Sequence, residues 1–252
     1  MENPQSTCQI FNADCLEKMK DLDDNSVDLI FCDLPYNQTS CAWDKAVLDL
    51  ELFWKQVMRI KKLNTPIFMT TTTKFGVSLI QSAPKKCFFR YDLVWVKSAP
   101  AGFLSAKKMP MRKHEMVYVF YEKLPFYDLS SHTHKFIKAN IKNEPTNKKE
   151  DDLYGIESGN AGRKKGFHQT QYDPPLPTTM LEIKSTRGKH STEKPVQLME
   201  WIFKYYSKEG DVILDPTMGS GSTGVACKNM NRNFIGIEMD KEIFKVAEER
   251  LK

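Results

Sequence analysis

No stretch of this sequence is long and apolar enough to cross a bilayer, and its start, MENPQSTCQIF, lacks the basic residues and apolar run of a signal peptide. Both absences lead us to expect a soluble chain of the cytoplasm. Paired cysteines are missing too. Cys8, Cys15, Cys32, Cys41, Cys87 and Cys227 are scattered, form no Cys-x-x-Cys and lie mostly in apolar stretches, as buried free thiols of a reducing compartment do. His132, His134, His168 and His190 stand at no metal-ligand spacing with any cysteine, so no metal is expected. A Gly-x-x-x-x-Gly-Lys phosphate loop is absent, which argues against ATP hydrolysis, and no segment repeats. A formal charge of only +5 does not by itself announce a nucleic-acid binder, so the distribution of charge must carry that argument.

What is present suits one α/β domain, or one domain with a sizeable insertion: 252 residues with 40% hydrophobic content can bury a real core. Seven short β-branched or aromatic runs read as strands, around Cys8–Phe11, Val27–Cys32, Pro66–Thr71, Leu93–Val96, Met116–Tyr121, Val212–Leu214 and Phe234–Ile237. Most are continuous rather than alternating, which predicts a sheet covered on both faces. Helical spacing separates them, notably over Leu48–Lys62 and Pro195–Tyr206. From Glu122 to Lys189 the pattern dissolves into prolines, glycines, asparagines and charges from which no core could be built. Residues 122–189 therefore read as an insertion between a first part, 1–121, and a last part, 190–252.

The segment DVILDPTMGSGSTGVACKNM runs from a strand through a glycine-rich turn into a helix. Gly219, Gly221 and Gly224 have Gly-x-Gly-x-x-Gly spacing, and the next strand ends in Glu238, an acid able to accept both hydrogens of a ribose diol. A nucleoside cofactor is implied. A dinucleotide would need a second mononucleotide half, yet only one final helix, Lys241–Leu251, follows Glu238; one nucleoside with a short polar tail fits better. Asp14, after the first strand, is either a further cofactor contact or the N-cap of a helix running through Leu16 to Leu22.

A second turn carries chemistry. VDLIFCDLPYN places Asp33, Leu34, Pro35 and Tyr36 just past an apolar strand, where open α/β sheets gather ligands. Alone, Asp-x-Pro-Tyr is an ordinary strand-ending turn. Beside the glycine-rich site it becomes a candidate reaction centre, provided the two strands are neighbours.

Taken together, NADCLEKMKDL, NSVDLIFCDLPYN, KHEMVYVFY, HSTEKPVQLMEWI, GDVILDPTMGSGSTGVA and NFIGIEMD resemble the β class of DNA amino-methyltransferases, over nearly the whole chain. The resemblance implies a circularly permuted, Rossmann-like fold with a seven-stranded, mostly parallel sheet and an inserted, loop-rich target-recognition region. It implies S-adenosylmethionine as cofactor and duplex DNA as partner, and it admits a homodimer and a cognate restriction endonuclease. It places Asp33 to Tyr36 on the catalytic tetrapeptide, Asp215, Pro216, Gly219, Ser220, Gly221, Ser222 and Thr223 on the cofactor loop, and Glu238 on the ribose. Asp14 falls on the cofactor adenine, and Lys194 with Pro195 beside the methionine moiety. Leu34 departs from the family's usual proline, but the role there belongs to a backbone carbonyl. Asp at the head of the tetrapeptide is the usual companion of adenine, Ser of cytosine. The chemistry is intelligible. Two acceptors, the Asp33 carboxylate and the Leu34 carbonyl, would hold both hydrogens of an exocyclic amine and favour the charge that develops on its nitrogen. Tyr36 would stack on a base rotated out of the duplex.

Charge is distributed to match. Between Lys85 and Lys113 lie Lys85, Lys86, Arg90, Lys97, Lys107, Lys108, Arg112 and Lys113 against one acid, Asp92, which suits phosphate contact. The insertion adds Arg163, Lys164, Lys165, His168, Lys184 and Arg187, with Asn160, Gln169 and Gln171 able to read base edges. The reading is a sequence-specific DNA adenine methyltransferase. Cytosine amino-methylation is the near alternative, RNA or protein-glutamine methylation a more distant one, and a binding module without turnover a third.

Overall fold

The computed structural model describes residues 6–35, 48–137, 169–185 and 193–252. They fall into two compact units, Met1–Asp128 with Thr178–Lys252, and Leu129–Pro177. The larger unit is built on an eight-stranded sheet of order β1-β10-β9-β2-β3-β5-β4-β8. Its strands are β1 (Cys8–Asn12), β2 (Leu29–Cys32), β3 (Ile67–Thr71), β4 (Phe88–Ala101), β5 (Arg112–Tyr121), β8 (Met180–Leu181), β9 (Val212–Asp215) and β10 (Asn233–Glu238). All pairings are parallel except the two that β5 makes, with β3 and with β4. The seven expected strands are therefore all present, in a mixed, mostly parallel sheet.

Continuous apolar runs became buried strands because helices cover both faces. On one face α2 (Leu50–Ile60) sets Phe53, Trp54, Val57 and Ile60 against Ile30, Cys32, Ile67 and Met69, with Leu79 of α3 (Thr73–Ser82) beside them. On the other, α4 (Val196–Tyr206) buries Leu198, Met199, Ile202 and Phe203, and its Tyr206 ring meets Phe68 edge-on at 5.0 Å. Alternate residues of β2 and β3 thus serve opposite layers, as the strand period demands. Removing one such ring, Phe53 or Phe203, would cost about 3–5 kcal/mol.

The chain runs from β2 outward to β3, but from β9 outward in the opposite direction to β10. Between β2 and β9 the connections diverge, which opens a crevice at the carboxyl ends of these strands.

The eighth strand is a departure from the expectation that no core could be built from residues 122–189. Met180 and Leu181 pair with Val94 and Trp95, Leu181 is buried, and the Trp95 indole N–H donates to the Ile183 carbonyl at 2.8 Å. Two residues among prolines and threonines have no periodicity to read; pairing with a preformed strand edge orders them. The smaller unit is an antiparallel hairpin, β6 (Thr133–Ile137) with β7 (Gln169–Asp173), running from Thr133 opposite Asp173 to Ile137 opposite Gln169. Its two strands are far apart in sequence and polar, so neither read as a strand. The boundaries of this unit, 129 and 177, lie inside the expected insertion.

Candidate active site

β9 and β2 lie side by side in parallel register, Leu29 against Ile213 and Ile30 against Leu214. The turns that leave their carboxyl ends therefore open on one crevice, a cavity of about 440 Å³, within the usual range of small-molecule sites. Asp33 and Pro35 line it from the first turn; Asp215, Pro216, Gly219 and Ser220 line it from the second. Ser222 and Thr223 at the start of α5 (Ser222–Asn229), Glu238 at the end of β10, Asp14 and Lys194 complete the set of expected residues there.

Leu34 and Gly221 do not line the cavity. The Leu34 side chain belongs to the core beneath α2. Gly221, at φ +83°, caps α5, and a Cβ there would sit 3.1 Å from Leu251 of α6 (Lys241–Leu251), so its role is a turn and a packing contact. The third glycine packs closer still: a Cβ on Gly224 would come within 2.8 Å of both Leu251 and Phe234. Tyr36, Arg163, Lys164, Lys165, His168 and Arg187 lie outside the described residues.

Asp33 accepts from the Thr70 hydroxyl of β3 through one carboxylate oxygen, and from the Lys194 ammonium at 2.5 Å through the other. Lys194 also approaches Glu115 of β5 at 3.6 Å, and Glu115 pairs in turn with Lys97 of β4. Burial alone would lower the Lys194 pKa, but the Asp33 and Glu115 carboxylates outweigh it and hold the ammonium above the ordinary lysine value. A charged chain, Lys97 on β4, Glu115 on β5, Lys194 before α4 and Asp33 after β2, thus ends at the tetrapeptide. Asp215 is held differently. Only 2% exposed, it accepts from the Thr223 hydroxyl at 2.5 Å and the Thr217 N–H at 3.1 Å. Burial pushes its carboxyl up to about 7, against the pull of those two donors, with Asp33 and Glu238 adding in the same direction. Glu238 accepts the Gly219 N–H at 3.1 Å and the Asp240 N–H at 2.8 Å, which ties the glycine turn to the end of β10; its pKa too is raised by burial.

Asp14 is the N-cap weighed for it, and it stands at the cavity wall. Its carboxylate caps α1 (Cys15–Lys18) by accepting from the Leu16 and Glu17 N–H groups.

Sequence reasoning missed several groups. Glu193, partly buried, accepts from the Ser222 hydroxyl at 3.0 Å and pairs with Arg250 of α6 at 2.8 Å, while Arg250 also reaches the Ser220 carbonyl at 3.3 Å. These contacts tie the glycine-rich turn to α6 and to the segment before α4. No spacing announces them, because the partners come from the two ends of the last sixty-odd residues. Thr70 was more legible: a hydroxyl within the fully buried run IFMTT needs a partner.

The basic run divides. Arg90 donates to the Tyr121 and Glu122 carbonyls and covers the Phe88 ring, and Lys97 is paired with Glu115, so both serve the fold. Lys107, Lys108, Arg112 and Lys113 are exposed.

Among the described residues that line the cavity, Lys194 is the sole cation, facing Asp14, Asp33, Glu193, Asp215, Glu238 and Asp240. Such a donor-poor, acid-rich site suits a nucleoside hydroxyl pair and a cationic centre, and it disfavours the pyrophosphate of a dinucleotide.

Comparison with known proteins identifies the family and the fold. The N6_N4_Mtase family model, described as DNA methylase, matches residues 27–249. The Type II methyltransferase M2.DpnII of Streptococcus pneumoniae is 50% identical over 70 residues, 28% of this chain and 26% of that protein. M2.LlaDCHI, a Type II methyltransferase of Lactococcus lactis subsp. cremoris, is 28% identical over 96% of this chain and 88% of its own length. In the solved complex of M1.HpyAVI with SAM, the fold superposes with a TM-score of 0.63 at 26% identity, over 97% of this chain and all of that one.

Proposed function

The chain belongs to the N6_N4_Mtase family of DNA methylases, and from that premise we propose that it transfers a methyl group from S-adenosylmethionine to the exocyclic amino group of adenine in duplex DNA, at a specific sequence and with the target base rotated out. The observation that carries the reading is the meeting of the Asp33 turn and the glycine-rich turn at the ends of adjacent strands, around one cavity.

When bound, S-adenosylmethionine would supply an activated methyl carbon and leave as the neutral thioether, and the methylated amine would release one proton by way of the Asp33 carboxylate. Asp14 and Glu238 would hold its nucleoside part. The glycine-rich turn, Asp215 to Thr223, would hold the rest, with Lys194 beside the tail. An acid-rich lining with one committed ammonium supports this cofactor over NAD. The Asp33 carboxylate and the Leu34 carbonyl accept the two amine hydrogens, which localises the nitrogen lone pair for attack. Each carboxylate oxygen can accept more than one hydrogen bond, so Thr70 and Lys194 orient Asp33 without using up its capacity. Tyr36 stacks on the rotated base. Leu34 in place of proline changes only a side chain that is sunk in the core.

Lys107, Lys108, Arg112 and Lys113 contact phosphates, as do Arg163, Lys164 and Lys165 in residues 122–189, the target-recognition region. A cytoplasmic place fits this activity, which admits both a homodimer and a cognate restriction endonuclease. Asp at the head of the tetrapeptide favours adenine, while the family spans both N6 and N4 chemistry. Mass spectrometry of nucleosides from DNA of expressing cells decides the matter. N6-methyladenine is expected; N4-methylcytosine would move the assignment to cytosine, and labelled methyl in RNA or protein alone would overturn DNA as substrate.

A further inference from the structure

The two most exposed large apolar side chains among the described residues are neighbours, Phe103 at 82% and Leu104 at 99%. They form the tip of the β4–β5 hairpin. Because β5 is antiparallel to both β3 and β4, β4 runs parallel to β3, β2 and β9, and its carboxyl end emerges at the same edge of the sheet as Asp33 and the glycine-rich turn. The ion chain joins the two places. Lys97 near the end of β4 pairs with Glu115, which lies beside Lys194, the partner of Asp33.

The tip is preformed rather than slack. Gly102, at φ +93°, turns the chain into a short 3-10 helix over Phe103–Ser105. Its turns close through Ser105 N–H to Gly102 O at 3.0 Å, Ala106 N–H to Phe103 O at 3.0 Å and Lys108 N–H to Ser105 O at 2.9 Å. At the base, Ser98 and Ser185 exchange backbone-to-hydroxyl hydrogen bonds of 3.3 and 3.0 Å. Between Ser98 and His114 there is no acid, while Lys107, Lys108, Arg112 and Lys113 are all exposed. A rigid apolar point flanked only by cations is complementary to a polyanion with an apolar interior. It is poorly suited to a second copy of itself, because a two-fold contact would bring like charges together.

We propose that Phe103 and Leu104 are a wedge that enters the DNA duplex and fills the space left when the target base is rotated out, with Lys107 and Lys108 holding the phosphates beside it. This rests on DNA being the substrate. A base leaves its stack at the cost of lost stacking, and an apolar side chain in the gap recovers part of it; a preformed tip does so without first being ordered.

The test compares a labelled duplex containing one abasic position with its intact counterpart, by fluorescence anisotropy over a salt series. The wild type is expected to bind the abasic duplex about tenfold more tightly, since no base need be unstacked before the tip enters. The double variant F103A/L104A should lose that preference, keep its affinity and salt slope on the intact duplex, and lose about tenfold in methyl transfer to duplex DNA. K107A/K108A should do the reverse, keeping the preference while its salt slope falls by about two. All four residues are exposed, so the variants should unfold at the wild-type temperature. An unchanged abasic preference in F103A/L104A overturns the wedge alone. Failure of the wild type to bind either duplex overturns DNA as substrate, and the wedge with it. A wild-type dimer that sediments as a monomer in F103A/L104A would assign the tip to an interface between copies and overturn the proposal.

Discussion

Asp33 follows β2 and Asp215 closes β9, strands that lie side by side, yet the two carboxylates meet opposite surroundings. Asp33 keeps partial contact with solvent and faces an ammonium, Lys194, with a threonine hydroxyl on its other oxygen. Asp215 is sunk in the protein and meets only neutral donors, a hydroxyl and a backbone N–H. Position at a strand end therefore does not by itself decide what a carboxylate does. An acid paired with a cation and open to the cavity can accept hydrogens from a substrate. One surrounded by neutral donors becomes a latch for its own loop, and pays for burial with a raised pKa.

The comparison breaks most easily at Asp33. Asp33→Ala should lower methyl transfer by about 10²–10³-fold, the size expected for losing one acceptor matched to the transition state. Cofactor binding by calorimetry should stay within a few-fold of wild type, and full activity in the variant would refute the assigned role.

Asp215 should reveal itself in stability rather than rate. Its folded pKa, about 7, lies above the ordinary 3.8, so the folded state holds this proton more tightly than the unfolded chain does. Stability is then greatest below the lower value and falls as pH rises through the window between the two, by on the order of a few kcal/mol. Asp215→Asn, whose Oδ1 can still accept from the Thr217 N–H while its Nδ2 donates to the Thr223 hydroxyl oxygen, should flatten that decline in thermal melts across the window. A variant with the same pH slope as wild type would refute the latch.

Smaller effects sharpen the contrast. Gly224→Ala places a Cβ 2.8 Å from Leu251 and Phe234, and the overpacking should cost about 1–3 kcal/mol in denaturant titrations while the Asp33 side of the cavity keeps its geometry. Thr70→Val removes one hydrogen bond from Asp33 at nearly constant shape. It should slow turnover by about fivefold, the equivalent of about 1 kcal/mol, with little change in stability. A larger loss of stability than of rate would mean that Thr70 serves β3 more than the carboxylate.

Much of the architecture was legible because it rests on local pattern. Ile30, Cys32, Ile67 and Met69 fill continuous buried runs, and Phe53, Val57 and Ile60 recur at helical spacing. Gly219 and Gly221, at positive φ, and Gly224, packed on Leu251, each occupy places where a side chain would be strained or would clash. What escaped depends on partners distant in sequence. β8 has two residues and exists because β4 offers an edge, and the strands of the β6–β7 hairpin are polar and widely separated. Arg90 and Lys97 looked like members of one basic surface, but carbonyls, an aromatic ring and Glu115 claim them for the fold.

The sequence by itself determined seven strands of the larger sheet, the turn after Asp215 and the acid at the end of β10, since each depends on neighbours within a few positions along the chain. Only the tertiary structure decided that β2 lies against β9, which acid faces Lys194 and which lies among neutral donors, and which cations remain on the surface. Burial and charge pairing are properties of what surrounds a group in space, and along this chain partners can stand more than a hundred residues apart, as Asp33 and Lys194 do.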